Sequence, residues 1–196
     1  MYYDAWESAG VYKRDILVDR VENAMEAQTE AKEEFKDALE AFSSVVTVEP
    51  SKLKSTYETL SSAFEDAKEK AEEVTDRIDS VESVSKALFE EWSDEIDQIS
   101  NPELRRSSAR QLKVSRGRYN DLITSMRKAE ARMGPVLTSF SDHVLYLKHN
   151  LNAQAIASLK NELGSIETNV ARLIKEMEAS IAQSEAFIKE MGLQET

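Results

Sequence analysis

The sequence predicts an all-α protein, an elongated antiparallel up-down-up-down four-helix bundle with coiled-coil-like packing. Apolar or small residues recur every three or four positions along nearly the whole chain, which is the spacing of one helix face packed along partner helices. The composition agrees, since 41% of the 196 residues are hydrophobic, 32% are charged, and only five are Gly and three Pro.

The first helix is predicted at about residues 6–46, starting at Trp6 or Lys13. Its apolar face consists of Leu17, Val21, Ala24, Gln28, Ala31, Phe35, Ala38, Phe42 and Val45. Pro50 disfavours a helical conformation at the residue before it. Ser51 is then expected to cap the second helix.

The second helix is predicted at about residues 52–100. Its face is the most regular in the chain, with a shift of one position near Glu95 and Ile96. The face consists of Leu53, Tyr57, Leu60, Phe64, Ala67, Ala71, Val74, Ile78, Val81, Ser85, Leu88, Trp92 and Ile99.

The third helix is predicted at about residues 102–149 and begins at a strong start signal, Asn101-Pro102-Glu103. Its apolar face continues in phase past Pro135, which predicts a kink rather than a helix end. The alternative is a three-helix, spectrin-like arrangement with one helix broken at Pro135. The face consists of Leu112, Tyr119, Leu122, Met126, Met133, Val136, Phe140, Val144 and Leu147.

The fourth helix is predicted at about residues 153–191, capped by Asn152 and ended by Gly192. Its face consists of Ile156, Leu159, Leu163, Ile166, Val170, Leu173, Met177, Ile181, Ser184, Ile188 and Met191. Helices of this length are about 55–70 Å long at 1.5 Å per residue. Short turns make consecutive helices antiparallel, and residues 1–196 are expected to form a single domain.

Motifs for catalysis, cofactors or metals are not found in the sequence. It contains no Cys, no phosphate-binding loop and only two histidines, His143 and His149. A di-iron bundle needs Glu three residues before each ligating His, but Phe140 and Tyr146 stand there instead. We therefore expect a protein that is not an enzyme and holds no cofactor or metal. No run of about 18 apolar residues indicates a membrane-spanning helix.

Charge is unevenly distributed. Residues 1–100 carry 11 basic and 26 acidic residues, a net charge of −15, whereas residues 101–196 carry 14 and 11, a net charge of +3. The basic third helix can neutralise its acidic neighbours, or it can face an anionic partner or membrane surface. A protein with a net charge of −12 is a poor partner for nucleic acid.

Two clusters of residues are candidate interaction sites, one at each end of the predicted bundle. Such sites are compatible with a protein partner or with an oligomer of this chain. The first is a group of cations that the topology brings to one end, together with Arg116 and Arg118: Lys13, Arg14, Arg105, Arg106 and Arg110. The second surrounds the turn between the last two helices: Tyr146, Lys148, His149, Asn150 and Asn152.

Four runs of the sequence resemble an uncharacterised bacterial family of small all-helical envelope lipoproteins, catalogued as a domain of unknown function. They are KRDILVDRV at 13–21, ALFEEW at 87–92, RKAEARM at 127–133 and YLKHNLNA at 146–153. Some members carry a DNA-repair-ATPase label, but this chain lacks the nucleotide-binding loop. The resemblance implies no catalytic residue.

Members of that family typically carry a signal peptide and a lipidated Cys just before the equivalent of Tyr2-Tyr3, and neither is present in this chain. Although this sequence contains neither feature, the resemblance to those members implies a lipid-anchored scaffold or interaction protein on the periplasmic face of the envelope. The alternative is a cytoplasmic coiled-coil accessory protein of nucleic-acid metabolism, expected if no signal sequence precedes Met1.

Overall fold

The computed structural model describes residues 13–192, which form four α-helices and one short 3-10 turn. The helices are α1 (Lys13–Thr47), α2 (Leu53–Gln98), α3 (Pro102–His149) and α4 (Ala153–Gly192), and the 3-10 turn is Pro50–Lys52. No strand occurs within residues 13–192, so the all-α prediction is confirmed. The predicted helix start at Trp6 lies outside the described residues.

Each helix packs against two neighbours, so the four helices close into a ring. The packed pairs are α1 with α2, α2 with α3, α3 with α4, and α4 with α1. Turns of only a few residues join consecutive helices, which makes these neighbours antiparallel. The predicted four-helix bundle is therefore confirmed, and its longest helix spans about 70 Å at 1.5 Å per residue.

Helix α3 runs unbroken through Pro135, which excludes the alternative of a helix that ends there. Pro135 cannot donate a backbone hydrogen bond to the carbonyl group of Ala131. Both residues lie on the solvent side of the helix, where water can take the place of that donor. The proline therefore leaves no buried carbonyl group without a partner at this position.

Asparagine caps begin α3 and α4, as predicted. The Asn101 side-chain oxygen accepts hydrogen bonds from the backbone N–H groups of Glu103 (2.9 Å) and Leu104 (3.3 Å). Asn152 accepts one from the N–H of Ala155 at 3.0 Å. The predicted Ser51 cap is wrong, because Ser51 lies inside the 3-10 turn and α2 begins after Lys52 without a side-chain cap.

The core follows the predicted apolar faces through most of the bundle. All nine predicted positions of α1 are buried, including Phe42, whose ring meets Phe140 edge-on with centroids 6.3 Å apart. In α2 the predicted face is buried from Leu60 to Ser85. The long-range packing of these faces is what holds the helices together, since isolated helices are marginal in water.

At the end nearest the α2–α3 turn, the buried faces of α2 and α4 shift by one position. Phe89 and Ile96 are buried in α2, whereas the predicted Leu88, Trp92 and Ile99 are half-buried. Likewise, α4 buries Ser180 and Phe187 in place of the predicted half-buried Ile181 and Ile188. In α2 this shift follows from the drift of a helix with 3.6 residues per turn against a strict seven-residue repeat. In α4 the buried positions instead keep the seven-residue spacing, from Leu173 through Ser180 to Phe187, and the predicted face departed from it.

The end of the α2–α3 hairpin has a small core of its own. Its buried members are Phe89, Ile96 and Leu112, which connect to the main cluster through the half-buried Leu88 and Tyr119. The half-buried Trp92 packs on them, and its indole N–H donates a hydrogen bond of 2.9 Å to the Ser108 hydroxyl group. The hairpin end is thus held by few buried residues.

Ion pairs join all four neighbouring helix pairs. Lys70 contacts Glu30 at 2.6 Å between α2 and α1, and Lys128 contacts Glu176 at 2.8 Å between α3 and α4. A looser pair at 3.9 Å joins Lys32 of α1 to Glu178 of α4. Between α2 and α3, Arg127 pairs with Asp79 and Glu82 of α2, and it also pairs with Glu130 on its own helix.

We expect the two ends of the core to differ in their tolerance of large cavities. Phe42→Ala should lower the free energy of unfolding by about 3–5 kcal/mol because the ring is fully buried. Trp92→Ala should cost less, since the indole is only half-buried. Urea unfolding followed by circular dichroism measures both values, and a larger loss for Trp92→Ala would contradict the assignment of the main core.

A buried amide in α1 offers a second stability test. The Gln28 side chain is fully buried, and neither its amide nitrogen nor its oxygen has a hydrogen-bond partner among residues 13–192. An unpaired buried polar group costs about 1–3 kcal/mol. Gln28→Met, of similar shape, should therefore raise the free energy of unfolding by about that amount.

The matched control is Gln111→Met, because Gln111 is exposed. This variant should stay within about 0.5 kcal/mol of the wild type in the same urea titration. Destabilisation by Gln28→Met alone would show that the amide does have partners in solution.

Candidate interaction surfaces at the two bundle ends

Three of the five candidate cations form an exposed row on the first turns of α3, next to the exposed Leu104. We call Leu104, Arg105, Arg106 and Arg110 the basic tip. Arg105 donates from Nε to the Ile99 carbonyl oxygen at 2.8 Å, and Arg106 donates to the Pro102 carbonyl oxygen at 3.2 Å. None of the three arginines has an ion pair within residues 13–192.

Leu104 adds an apolar element to the basic tip. Its side chain is 60% exposed, the largest value among the exposed large hydrophobic residues of the described chain. The Asn101 cap fixes the first turn of α3 and so holds Leu104 and its neighbouring arginines in a defined orientation. The result is an exposed apolar side chain on the same first turns of α3 as the three arginines.

The two other arginines of the predicted cluster contact residues of neighbouring helices. Arg116 donates to the Phe89 carbonyl oxygen at 2.9 Å and lies 5.6 Å from the centroid of the Phe89 ring. Arg118 pairs with Glu190 at 2.9 Å. Neutralisation between helices therefore explains Arg118, together with Arg127 and Lys128. Arg116 instead contacts the backbone and the ring of Phe89 on the neighbouring helix.

Lys13 and Arg14 lie on α1 beside the same hairpin. The Lys13 ammonium group is 2.9 Å from the Glu91 carboxylate, and only 10% of the Lys13 side chain is exposed. Arg14 is half-buried. These two residues lie at the end of the bundle that carries Arg110. The Lys13 ammonium group, however, already forms an ion pair with Glu91.

An acidic row on α2 lies at the same end and was not anticipated from the sequence. Glu90, Asp94 and Asp97 are exposed and have no ion pair with any described residue. The sequence could have indicated this acidic row, because residues three or four positions apart share one face of a helix. The hairpin end thus carries a basic row on α3 and an acidic row on α2.

At the opposite end, the α3–α4 turn exposes three large apolar side chains. Tyr146 and Leu151 are each 40% exposed, and Leu145 is 57% exposed. Lys148 and His149 are exposed beside them. The two leucines were not predicted as surface residues, although both stand outside the apolar face in the sequence.

The side chains of the two candidate asparagines of this turn form hydrogen bonds with backbone groups. Asn150 donates from its side-chain amide to the Tyr146 carbonyl oxygen at 2.9 Å. Asn152 is the cap of α4 described above. The surface available to a partner at this end therefore consists of Leu145, Tyr146, Lys148, His149 and Leu151, which we call the apolar turn.

A groove of about 300 Å³ adjoins the apolar turn. His143 and Tyr146 of α3 line one side, and Ser158, Leu159 and Glu162 of α4 line the other. The His143 ring also stacks at a tilt on Phe42, with centroids 5.2 Å apart. Burial lowers the pKa of His143, and the neighbouring Glu162 and Asp142 carboxylates partly oppose this effect.

A second groove lies between α1 and α2 and is strongly acidic. Its rims carry Glu34, Asp37, Glu40 and Asp66 around a volume of about 520 Å³. Burial, with a contribution from the charges of Asp66 and Asp37, raises the pKa of Glu34. Carboxylates crowded in this way repel one another and lower the stability of the ionised form.

Within residues 13–192, no three His, Asp or Glu side chains come together as potential metal ligands. None of the described helices combines the length and hydropathy needed to cross a bilayer.

Comparison with known proteins places nearly the whole chain in one family. Residues 2–191 match the family described as protein of unknown function, DUF2959. No curated protein and no solved structure matches the chain. The family resemblance read from the sequence is thus confirmed at the level of a family of unknown function. Since the match spans almost the entire sequence, the chain belongs to the DUF2959 family.

Proposed function

We propose that the protein is a non-enzymatic helical scaffold or interaction protein of the bacterial cell envelope, whose basic tip lies against an anionic membrane surface. The observation that carries this proposal is the row of exposed arginines at the basic tip, none of which has an ion pair within the described chain. The resemblance of four sequence runs to envelope lipoproteins supports the location.

A lipid anchor near Tyr2 would hold this end close to the membrane. Helix α1 enters the bundle at Lys13, beside Glu91 on the hairpin that carries the basic tip. Each cation near an anionic bilayer contributes about 1 kcal/mol, and Leu104 can enter the headgroup region between the arginines. The weak electrostatic contact would then orient an anchored protein rather than replace the anchor.

The apolar turn would face away from the membrane. It lies at the other end of a helix about 70 Å long, within reach of a protein partner in the periplasm. Exposed apolar side chains rimmed by polar ones commonly mark such interaction sites. The bundle would act as a spacer between the membrane and that partner.

We expect residues 13–192 to sediment with anionic vesicles at low salt but not with neutral ones. Arg105→Gln, Arg106→Gln and Arg110→Gln combined should weaken this binding roughly 100-fold, since three contributions of about 1 kcal/mol are lost. Sedimentation with vesicles of phosphatidylcholine alone or with 30 mol% (about one third) phosphatidylserine measures the effect.

The matched control removes three exposed cations away from the tip, through Arg132→Gln, Lys148→Gln and Lys160→Gln. It changes the net charge equally and should leave vesicle binding nearly unchanged. Removing the acidic row, through Glu90→Gln, Asp94→Asn and Asp97→Asn, should strengthen binding. Equal recovery of the wild type with neutral and anionic vesicles would overturn the membrane proposal.

The alternative function, a cytoplasmic accessory of nucleic-acid metabolism, rests on the same cations of α3. It requires binding to DNA that weakens steeply with salt, because phosphate contacts release counterions. We expect no such binding, since the protein has a net charge of −12 and stable binding to a duplex needs more phosphate contacts than three arginines supply. Fluorescence anisotropy with a labelled duplex tests this, and salt-dependent binding lost in the triple arginine variant would favour the alternative.

A further inference from the structure

The groove beside the apolar turn has walls of defined chemistry. His143 and Tyr146 stand one turn apart on α3, and Ser158 and Glu162 stand one turn apart on α4. Leu159, only 1% exposed, forms the floor. The groove therefore offers an apolar base with a carboxylate, two hydroxyl groups and an imidazole around it.

The charge of the groove has one sign. The charged groups that act on His143 are both carboxylates, Glu162 and Asp142. Glu162 has no ion pair or hydrogen bond with any described residue. An anion would be repelled here, and a purely apolar group would remove Glu162 from water without supplying a partner.

The groups that line the groove suit a cation on an aliphatic stem. The Glu162 carboxylate and the hydroxyl oxygens of Ser158 and Tyr146 can accept hydrogen bonds. Tyr146 lines the groove and is 40% exposed, and an aromatic ring attracts a cation over its face. Leu159 supplies apolar surface for methylene groups, the arrangement by which lysine and arginine stems are covered.

We propose that this groove binds the side chain of a lysine or arginine from a protein partner, whose neighbouring apolar residues lie on Leu145 and Leu151. Glu162 supplies the charge, Tyr146 the ring face and Leu159 the floor. This inference deepens the proposed function, because it gives the chemistry of the partner that the membrane-distal end would meet.

The test is a titration of the ¹⁵N-labelled protein with Nα-acetyl-lysine amide and Nα-acetyl-arginine amide, followed by two-dimensional NMR. Nα-acetyl-norleucine amide, which has the stem without the charge, is the control probe. We expect shifts of the Tyr146, Ser158 and Glu162 amides with a dissociation constant in the millimolar range, as for one side chain in an open groove. The norleucine probe should shift them at least about tenfold less.

Two variants test the assigned roles. Glu162→Gln should weaken binding of the lysine probe about tenfold, and Tyr146→Leu should weaken it by a smaller factor. The matched control is Glu167→Gln, an exposed carboxylate of α4 that does not line the groove, and it should bind the probe as the wild type does. Both groove residues are exposed, so these variants should fold.

Equal shifts with the norleucine probe, or full affinity in Glu162→Gln, would overturn the inference. An absence of shifts with either charged probe at about 100 mM, far above the expected millimolar constant, would overturn it too. Because vesicle binding involves the other end of the bundle, the two experiments fail independently. Loss of vesicle binding leaves the groove result standing, and the reverse also holds.

Discussion

The whole structure depends on the closure of four long helices into one ring. A single helix of this sequence exposes a continuous apolar face, and that face is removed from water only when the helix contacts two neighbours. Fully buried side chains such as Phe35, Phe140 and Leu173 come from three different helices. The position of every surface feature, including both candidate interaction surfaces, is set by this closure.

The uneven charge of the two halves of the chain is largely explained by ion pairs between helices of the bundle. Arg127 of α3 lies among carboxylates of α2, and its hydrogen bonds to Glu82 raise its pKa further above the usual value. The hydrogen bond to Glu30 likewise raises the pKa of Lys70. These exposed pairs add little to stability one by one, and they join helices that the short turns and the buried apolar faces already bring together. The arginines of the basic tip differ from these residues, because none of them forms an ion pair within residues 13–192.

The sequence was sufficient for the architecture and much less so for the surfaces. Apolar periodicity predicted the four helices, and the asparagines at 101 and 152 predicted two helix starts, because these signals are local. The burial of Phe89 in place of Leu88 was not predictable in the same way, since it depends on how far the helix has rotated relative to its neighbours. The groove was not predictable either, because His143 and Glu162 meet only after α3 and α4 have taken their relative register.

The separate small core of the α2–α3 hairpin divides the protein into two regions of unequal resistance to local opening. Phe89, Ile96 and Leu112 form a small cluster that connects to the main one only through half-buried residues, Leu88 and Tyr119. Segments held by few buried contacts open at a lower free energy than the rest of a fold. We therefore expect the hairpin that carries the basic tip to open at a lower free energy than the rest of the rod, which would let that end adapt to an uneven surface while the other keeps its shape.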